Sequence, residues 1–268
     1  MRKILSFTAV ILILSSIFCL FAACDSSEDT LVMATNAAFP PYEYKSDSGE
    51  FEGIDVEIAT LIAERLGMTL QIEDVEFGSI VSGVASGKYD MGMAGMTVTE
   101  ERLESVNFSD TYANGVQVVI VPEDSEYQSF EDFYTGFTTV DGEEVPAGVK
   151  EGIKIGVQQD TTGDVYSSDT PEKWGFGEEN VQRYKTGADA VLDLKTGRLT
   201  AVIIDNEPAK AYVEANEGLK ILDGEYANED YAICFAKDNT ELMDKVNTVL
   251  KELTDEGKIQ EILDKYIK

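Results

Sequence analysis

The chain has 268 residues, with 51 acidic against 21 basic side chains, a formal charge of −30, no histidine and three cysteines. A field of that sign repels nucleic acid, so no nucleic-acid partner is expected. The lack of histidine removes every His-dependent triad and, with so few cysteines, the familiar zinc and copper sites; no metal or cofactor is expected, and binding is favoured over catalysis.

The first residues read as a leader. Arg2 and Lys3 precede an apolar run from Ile4 to Leu20, and the small residues Ala22 and Ala23 stand directly before Cys24. The run falls short of the ~20 residues of a membrane span, and the order is that of a secretory signal. The small pair before cysteine resembles a bacterial lipobox, with Phe21 where leucine is usual. Residues 1–23 are therefore expected to be removed, Cys24 to carry a lipid that holds the protein at the cell membrane, and residues 24–30 to form a polar tether. Loss of the leader takes Arg2 and Lys3 and no acid, moving the charge from −30 to −32. Cys19 leaves with it, and Cys234 in the apolar "YAICFA" remains as a core residue without a disulfide partner.

From there short apolar runs alternate with segments of helical period. "LVMATN" reads as a strand, "IDVEIATLIAERLG" as a helix closed by Gly67, "TLQIEDV" as a strand and "GSIVSGVASG" as a short helix; "YDMGMAG" is a strand and "TEERLESV" a helix. After "GVQVVIVPED" and a polar insertion from Tyr127 to Val149 the pattern restarts, with strands "IKIGVQ", "AVIIDN" and "LKIL" around helices "TGADAVLDLKTG" and "EPAKAYVEAN". The chain closes with a strand, "YAICFAKD", and two helices, "TELMDKVNTVLKELTDEG" and "KIQEILDKYIK", each with an apolar stripe at i, i+3/i+4. Alternation of this kind predicts two α/β units, each with a largely parallel sheet flanked by helices.

In open parallel sheets ligands sit beyond the carboxyl ends of the strands. The residues there are Asn36, Phe39, Phe77, Gly95, Thr97, Arg102, Thr161, Thr162 and Asp205. They offer one cation, one anion, hydroxyls and rings, a set that fits a small zwitterion: a guanidinium fork for a carboxylate, a carboxylate for an ammonium, and aromatic faces for a side chain. Taken singly, Thr161 and Thr162 would serve as helix caps, and Asp205 as the cap of the helix near Pro208. Arg102 is the odd member. With Thr99 as N-cap it falls at N3, where a capping box wants Glu or Gln and a cation opposes the helix dipole by roughly 0.3–1 kcal/mol.

The blocks "ATNAAFPPYEY" (34–44), "GIDVEIATLIAERLG" (53–67), "EFGSIVSGVASGKYDMGMAGMTVTEER" (76–102), "VNFSDTY" (106–112), "IGVQQDTTGD" (155–164) and "GRLTAVIIDN" (197–206), in this order, resemble the extracytoplasmic amino-acid-binding proteins of bacterial ABC importers, the polar amino acid family of solute-binding proteins. The resemblance implies a two-lobed periplasmic-binding-protein fold of type II, closing on its ligand about two hinge strands, with lobe one at 31–118 and 231–268 and lobe two at 119–230. It implies Arg102 as the clamp on the ligand α-carboxylate, Thr97 as a hydroxyl beside it, the Gly95 carbonyl and Asp205 as acceptors for the ammonium, and Thr162 as a backbone donor. It further implies Phe39 and Phe77 as flanking rings and Asn36 at the side-chain end. The partners it implies are a free amino acid, permease subunits and, through the lipid, the membrane; the protein is expected to act as a monomer. Two features depart from the pattern: Asp160 stands where glycine is common, and the segments 127–149 and 167–180 are longer or more particular than the family suggests.

The alternative is an enzyme on the same fold, of the cyclohexadienyl dehydratase type, with Glu43, Glu76 or Asp205 as base. For a binding protein, Asn36 and the rings rank a polar amino acid first and a basic one next, with Glu76 standing in for an aspartate at the side-chain end. Dicarboxylic amino acids rank last, since no second basic residue lies at the strand ends.

Overall fold

The computed structural model describes residues 29–267; the leader, Cys24 and most of the tether lie outside them. The chain starts with β1 (Thr30–Thr35), followed by a small antiparallel sheet of β2 (Ala38–Phe39), β3 (Glu43–Lys45) and β4 (Phe51–Glu52), and then α1 (Ile54–Leu66). Next come β5 (Thr69–Asp74), α2 (Ile80–Ala85), β6 (Met91–Gly92), α3 (Glu100–Ser105) and β7 (Val106–Phe108). The long β8 (Ala113–Pro122) leads to a hairpin, β9 (Phe137–Val140) and β10 (Glu143–Pro146). A second α/β run follows: β11 (Ile155–Gln158), α4 (Thr162–Ser168), β12 (Val181–Tyr184), α5 (Gly187–Lys195), β13 (Ala201–Asp205), α6 (Asn206–Ala215) and β14 (Leu219–Ile221). β15 (Ala227–Tyr231) returns to β16 (Cys234–Ala236), α7 (Thr240–Asp255) and α8 (Lys258–Tyr266).

These elements form the two lobes of an α/β fold. One sheet has the order β5-β1-β6-β16-β7 and the other β12-β11-β13-β8-β14, with β15 paired to β8. The expectation of largely parallel sheets holds only for β5-β1-β6 and β12-β11-β13. β16 in the first sheet and β8 in the second run antiparallel to their neighbours, because the chain that crosses between the lobes must enter or leave each sheet against its parallel strands. β8 and β15 pair antiparallel from Ala113 opposite Tyr231 to Gln117 opposite Ala227.

Period-two alternation puts both faces of each parallel core under apolar cover. Leu31 and Met33 of β1 share a cluster with Ile58 and Ile62 of α1, while Ala34 packs with Ile80 and Val84 of α2. In the second lobe Val202 and Ile204 face one side of β13, and Ala201 and Ile203 the other. α1 buries Ile54, Ile58 and Ile62 at i, i+4 spacing and stops at Gly67, whose φ of 69° lets its N–H reach Ala63 O and Glu64 O. Cys234 is buried and free. Among the described residues no helix is long and apolar enough to cross a membrane.

Three stretches differ from their sequence reading. "YDMGMAG" keeps only Met91–Gly92 as strand, since the chain turns at Gly95. "YAICFAKD" divides: Tyr231 ends β15 against β8, and Cys234 begins β16 in the other sheet. The polar insertion and the segment at 167–180 are one aromatic layer. Tyr134 stacks on Phe176 at 5.3 Å between centroids, Phe133 meets Phe176 at 5.9 Å, and the Trp174 carbonyl accepts from Tyr134 Oη at 2.6 Å and Tyr226 Oη at 2.9 Å.

Phe176 is fully buried at the centre of that layer. Phe176→Ala is expected to cost about 3–5 kcal/mol of stability, measured by urea unfolding with the single tryptophan, Trp174, as fluorescent reporter. A loss under about 1 kcal/mol would show that the layer closes over the hole and does not hold the lobe.

Candidate ligand site

A small cavity lies between the lobes, lined by residues from both. Every residue singled out at the strand ends lines it: Asn36, Phe39, Phe77, Gly95, Thr97 and Arg102 from one lobe, Thr161, Thr162 and Asp205 from the other. Glu43, Ala94 and Gln158 line it as well.

Arg102 is placed by the start of α3. Thr99 is the N-cap, and its Oγ1 accepts from Arg102 N at 3.1 Å. The side chain turns back from the helix: Nη1 donates to Thr97 O at 2.8 Å, Nη2 donates to Asp160 O at 3.3 Å, and the guanidinium lies 5.2 Å from the Phe77 ring centroid. Among the described residues no carboxylate is within ion-pair distance of it. Burial lowers its pKa, with Glu229 pulling the other way. Its forked head is therefore oriented by carbonyls and a ring, and lacks an anion.

Asp205 comes from the opposite lobe, and Glu43 and Asp55 from the lobe of Arg102. Asp205 ends β13 and stands at the N-cap of α6, yet its carboxylate does not cap that helix. Oδ2 accepts from Gln117 Nε2 at 2.8 Å, and Oδ1 accepts a short hydrogen bond from Tyr231 Oη. Burial, then the neighbouring Glu229, raises its pKa well above the usual carboxylate range. Glu43 is 1% exposed and has one carboxyl oxygen without a partner. Burial and the adjacent Asp55 push its pKa up too. Asp55 on α1 accepts from Gly95 N at 2.8 Å and Tyr112 Oη at 2.8 Å, and burial raises its pKa to about 7.

The remaining members divide by role. Thr161 caps α4 with its side chain, accepting from Asp164 N, whereas Thr162 presents its hydroxyl to Thr97 across the cleft at 3.5 Å. Phe39 is 8% exposed and closes over Gly95, where a Cβ would stand 2.8 Å from the ring. Asn36 faces the cavity with both ends engaged: Nδ2 donates to Val75 O at 2.7 Å, and Oδ1 accepts from Gln158 Nε2 at 2.9 Å. One donor hydrogen and one acceptor lone pair of the amide remain free for a ligand side chain. Glu76 corrects the sequence reading. It is exposed, pairs with Lys185 at 2.5 Å and does not line the cavity, so it supplies neither a base nor an acidic end. Glu43 lines the cavity instead. Asp160 keeps the loop shape that glycine would give: it adopts φ of 64°, which a short polar side chain tolerates, and its N–H reaches Asp164 Oδ2 at 3.0 Å.

Glu229, Gln117 and Tyr231 went unnoticed in the sequence. They lie on the crossing strands β8 and β15, and β15 is the polar run "ANEDY", which lacks the alternation that marks a strand.

Residues 31–268 match the bacterial extracellular solute-binding proteins, family 3. The arginine-binding extracellular protein ArtP of Bacillus subtilis is 32% identical over 245 residues, which span 90% of this chain and 88% of that protein. An ancestral arginine-binding protein solved with arginine superimposes with a TM-score of 0.76 at 33% identity, covering 90% of this chain and 99% of that one. The chain is equally similar to an ancestral arginine-binding protein solved with glutamine, with a TM-score of 0.77 at 32% identity over 90% of this chain and 98% of that one.

The buried acids make the ligand-free fold sensitive to pH. Asp55, Glu43 and Asp205 hold protons in the folded state that the unfolded chain releases above about pH 4. Their contribution to stability is therefore full at low pH and lost as pH rises through the folded values. Each such proton is worth about 1.4 kcal/mol per pH unit, and about 2–4 °C of melting midpoint per kcal/mol. The ligand-free protein is expected to melt higher at pH 5.5 than at pH 7.5, and Asp55→Asn to flatten that slope. A midpoint that rises with pH across this window would contradict the assignment.

Proposed function

Because the chain belongs to the bacterial extracellular solute-binding proteins, family 3, we propose that the cavity captures a single amino acid outside the cytoplasm and that the closed protein delivers it to the permease of an ABC importer. One observation carries this reading: a guanidinium without an anion and a buried carboxyl cluster without a cation face one cavity. An α-amino acid supplies both missing charges. Its carboxylate would take the Arg102 fork, flanked by Thr97 and Thr162. Its ammonium would sit at Asp205 and the Gly95 carbonyl, with Phe39 and Phe77 on either side of the side chain. β8 and β15 would be the hinge between a lobe at 31–118 with 231–268 and a lobe at 119–230. Cys24 would carry the lipid that keeps a monomeric protein at the cell membrane.

Glu43 refines the ligand. A second buried carboxyl with an open oxygen on the same cavity fits a second cation on the ligand. This moves arginine, lysine and ornithine ahead of neutral polar amino acids. The names of the relatives point the same way, since ArtP is an arginine-binding protein.

A thermal-shift panel of the common amino acids with ornithine and citrulline tests both points, because ligand at 100 times its dissociation constant stabilises by about 2.7 kcal/mol. L-arginine, L-lysine or L-ornithine should give the largest shift and L-glutamate none. Glu43→Gln should reduce the preference for L-arginine over L-glutamine by roughly tenfold to a hundredfold. Stabilisation by L-glutamate or L-aspartate alone, or silence across the panel, would overturn the reading; an unchanged preference in Glu43→Gln would remove Glu43 from the side-chain end.

A further inference from the structure

Glu229 lies midway along β15, one of the strands that cross between the lobes, and is 5% exposed. Its Oε2 accepts from Thr97 Oγ1 at 3.0 Å and from Gln117 Nε2 at 3.1 Å, while Oε1 has no partner. The same Gln117 Nε2 reaches Asp205 Oδ2 at 2.8 Å, so the two buried carboxyls converge on one donor. Two carboxyl groups in one desolvated pocket do not both ionise unless a cation joins them. Of the groups that face the pair among the described residues, Tyr231, Tyr42 and Tyr166 are phenols and Glu43 is another acid. Arg102 is the cation there, and its donors are directed to the carbonyls of Thr97 and Asp160.

The geometry points to a proton-for-amine exchange: in the ligand-free cleft Asp205, set beside Glu229 on one shared donor, carries a proton, and an incoming α-ammonium takes its place. The step balances in charge and atoms. The pair goes from one negative charge with a bound proton to two with a bound ammonium, and the proton leaves to solvent. Glu229 does not line the cavity, so it is a positioning residue that acts through Asp205 and Thr97. Its network joins Thr97 of one lobe and Asp205 of the other to Gln117 and Tyr231 on the two crossing strands, so the exchange reaches each part that closure brings together. This inference rests on the reading of the cleft as an amino-acid site.

Calorimetric titration of L-glutamine and L-arginine at pH 7, in phosphate and in Tris, counts the protons released through the difference in buffer ionisation heat. L-glutamine carries no side-chain charge and isolates the ammonium end from Glu43. The parent is expected to release about half to one proton per amino acid bound, and Glu229→Gln less than about a fifth, because a neutral glutamine amide beside Asp205 removes the reason for Asp205 to hold a proton. Release below about a tenth by the parent, or equal release by parent and variant, overturns the exchange. The parent alone can give the first of these results, so a poorly folded variant does not protect the idea. If neither amino acid binds the parent, the reading of the cleft falls and this exchange with it, whereas binding without proton release overturns the exchange alone.

Discussion

Two sets of desolvated charges of opposite sign, held apart across one cavity, set the terms for the rest of this protein. Arg102 cannot reach the acids, because its own donors are tied to Thr97 O and Asp160 O and its plane rests on Phe77. Asp205 cannot reach Arg102, because Tyr231 and Gln117 hold its carboxylate. A buried charge without its partner is costly, by about 3–5 kcal/mol where a formed pair is broken. The protein answers this on the acidic side by keeping protons on its carboxyls and on the basic side by directing carbonyls at the guanidinium. Both stand where a zwitterion would supply the missing partner.

The fold makes this possible by putting strand ends from two sheets against each other. Asn36 follows β1, Thr97 follows β6, Gln158 ends β11 and Asp205 ends β13, so the polar side chains at the tips of both sheets converge on one cavity. The lobes also touch directly. Gln158 reaches Asn36, Tyr212 Oη donates to Ala38 O at 2.7 Å, and Lys185 pairs with Glu76 at the rim. Such contacts close the cleft around the cavity, and a ligand that bridged Arg102 and Asp205 would add the differential stabilisation that a shift toward the closed state requires.

Much of this was legible in the sequence, and for physical reasons. α1 announced itself by apolar residues at i, i+4 and a closing glycine. Arg102 stood out because it broke the electrostatic rule of a helix start, and a local rule is broken where a function compensates for it. What stayed hidden depended on long-range folding. Glu43 and Glu76 look alike as isolated acids beside aromatic residues. Only the packing of β3 onto α1, which sets Glu43 against Asp55, buries the first, while the second stays at the rim with Lys185. Glu229 was invisible because "ANEDY" reads as a polar loop; its burial comes from pairing with β8 opposite Gly115, a neighbour far away in sequence. The parallel sheets were foreseen from the alternation of elements, but the antiparallel strands that join the lobes follow from the crossing itself, which no local pattern records.

The central claim is that Arg102 is oriented toward an anion that only the ligand brings. Isothermal titration of Arg102→Ala against the parent, with the amino acid that binds the parent best, tests it most directly. Removing the guanidinium leaves the ligand carboxylate buried without its partner, at a cost of about 3–5 kcal/mol, so affinity should fall by roughly two to four decades. The fold should remain intact, since the substitution also removes a cation from a helix start. Binding within about threefold of the parent by a folded Arg102→Ala protein would contradict the account.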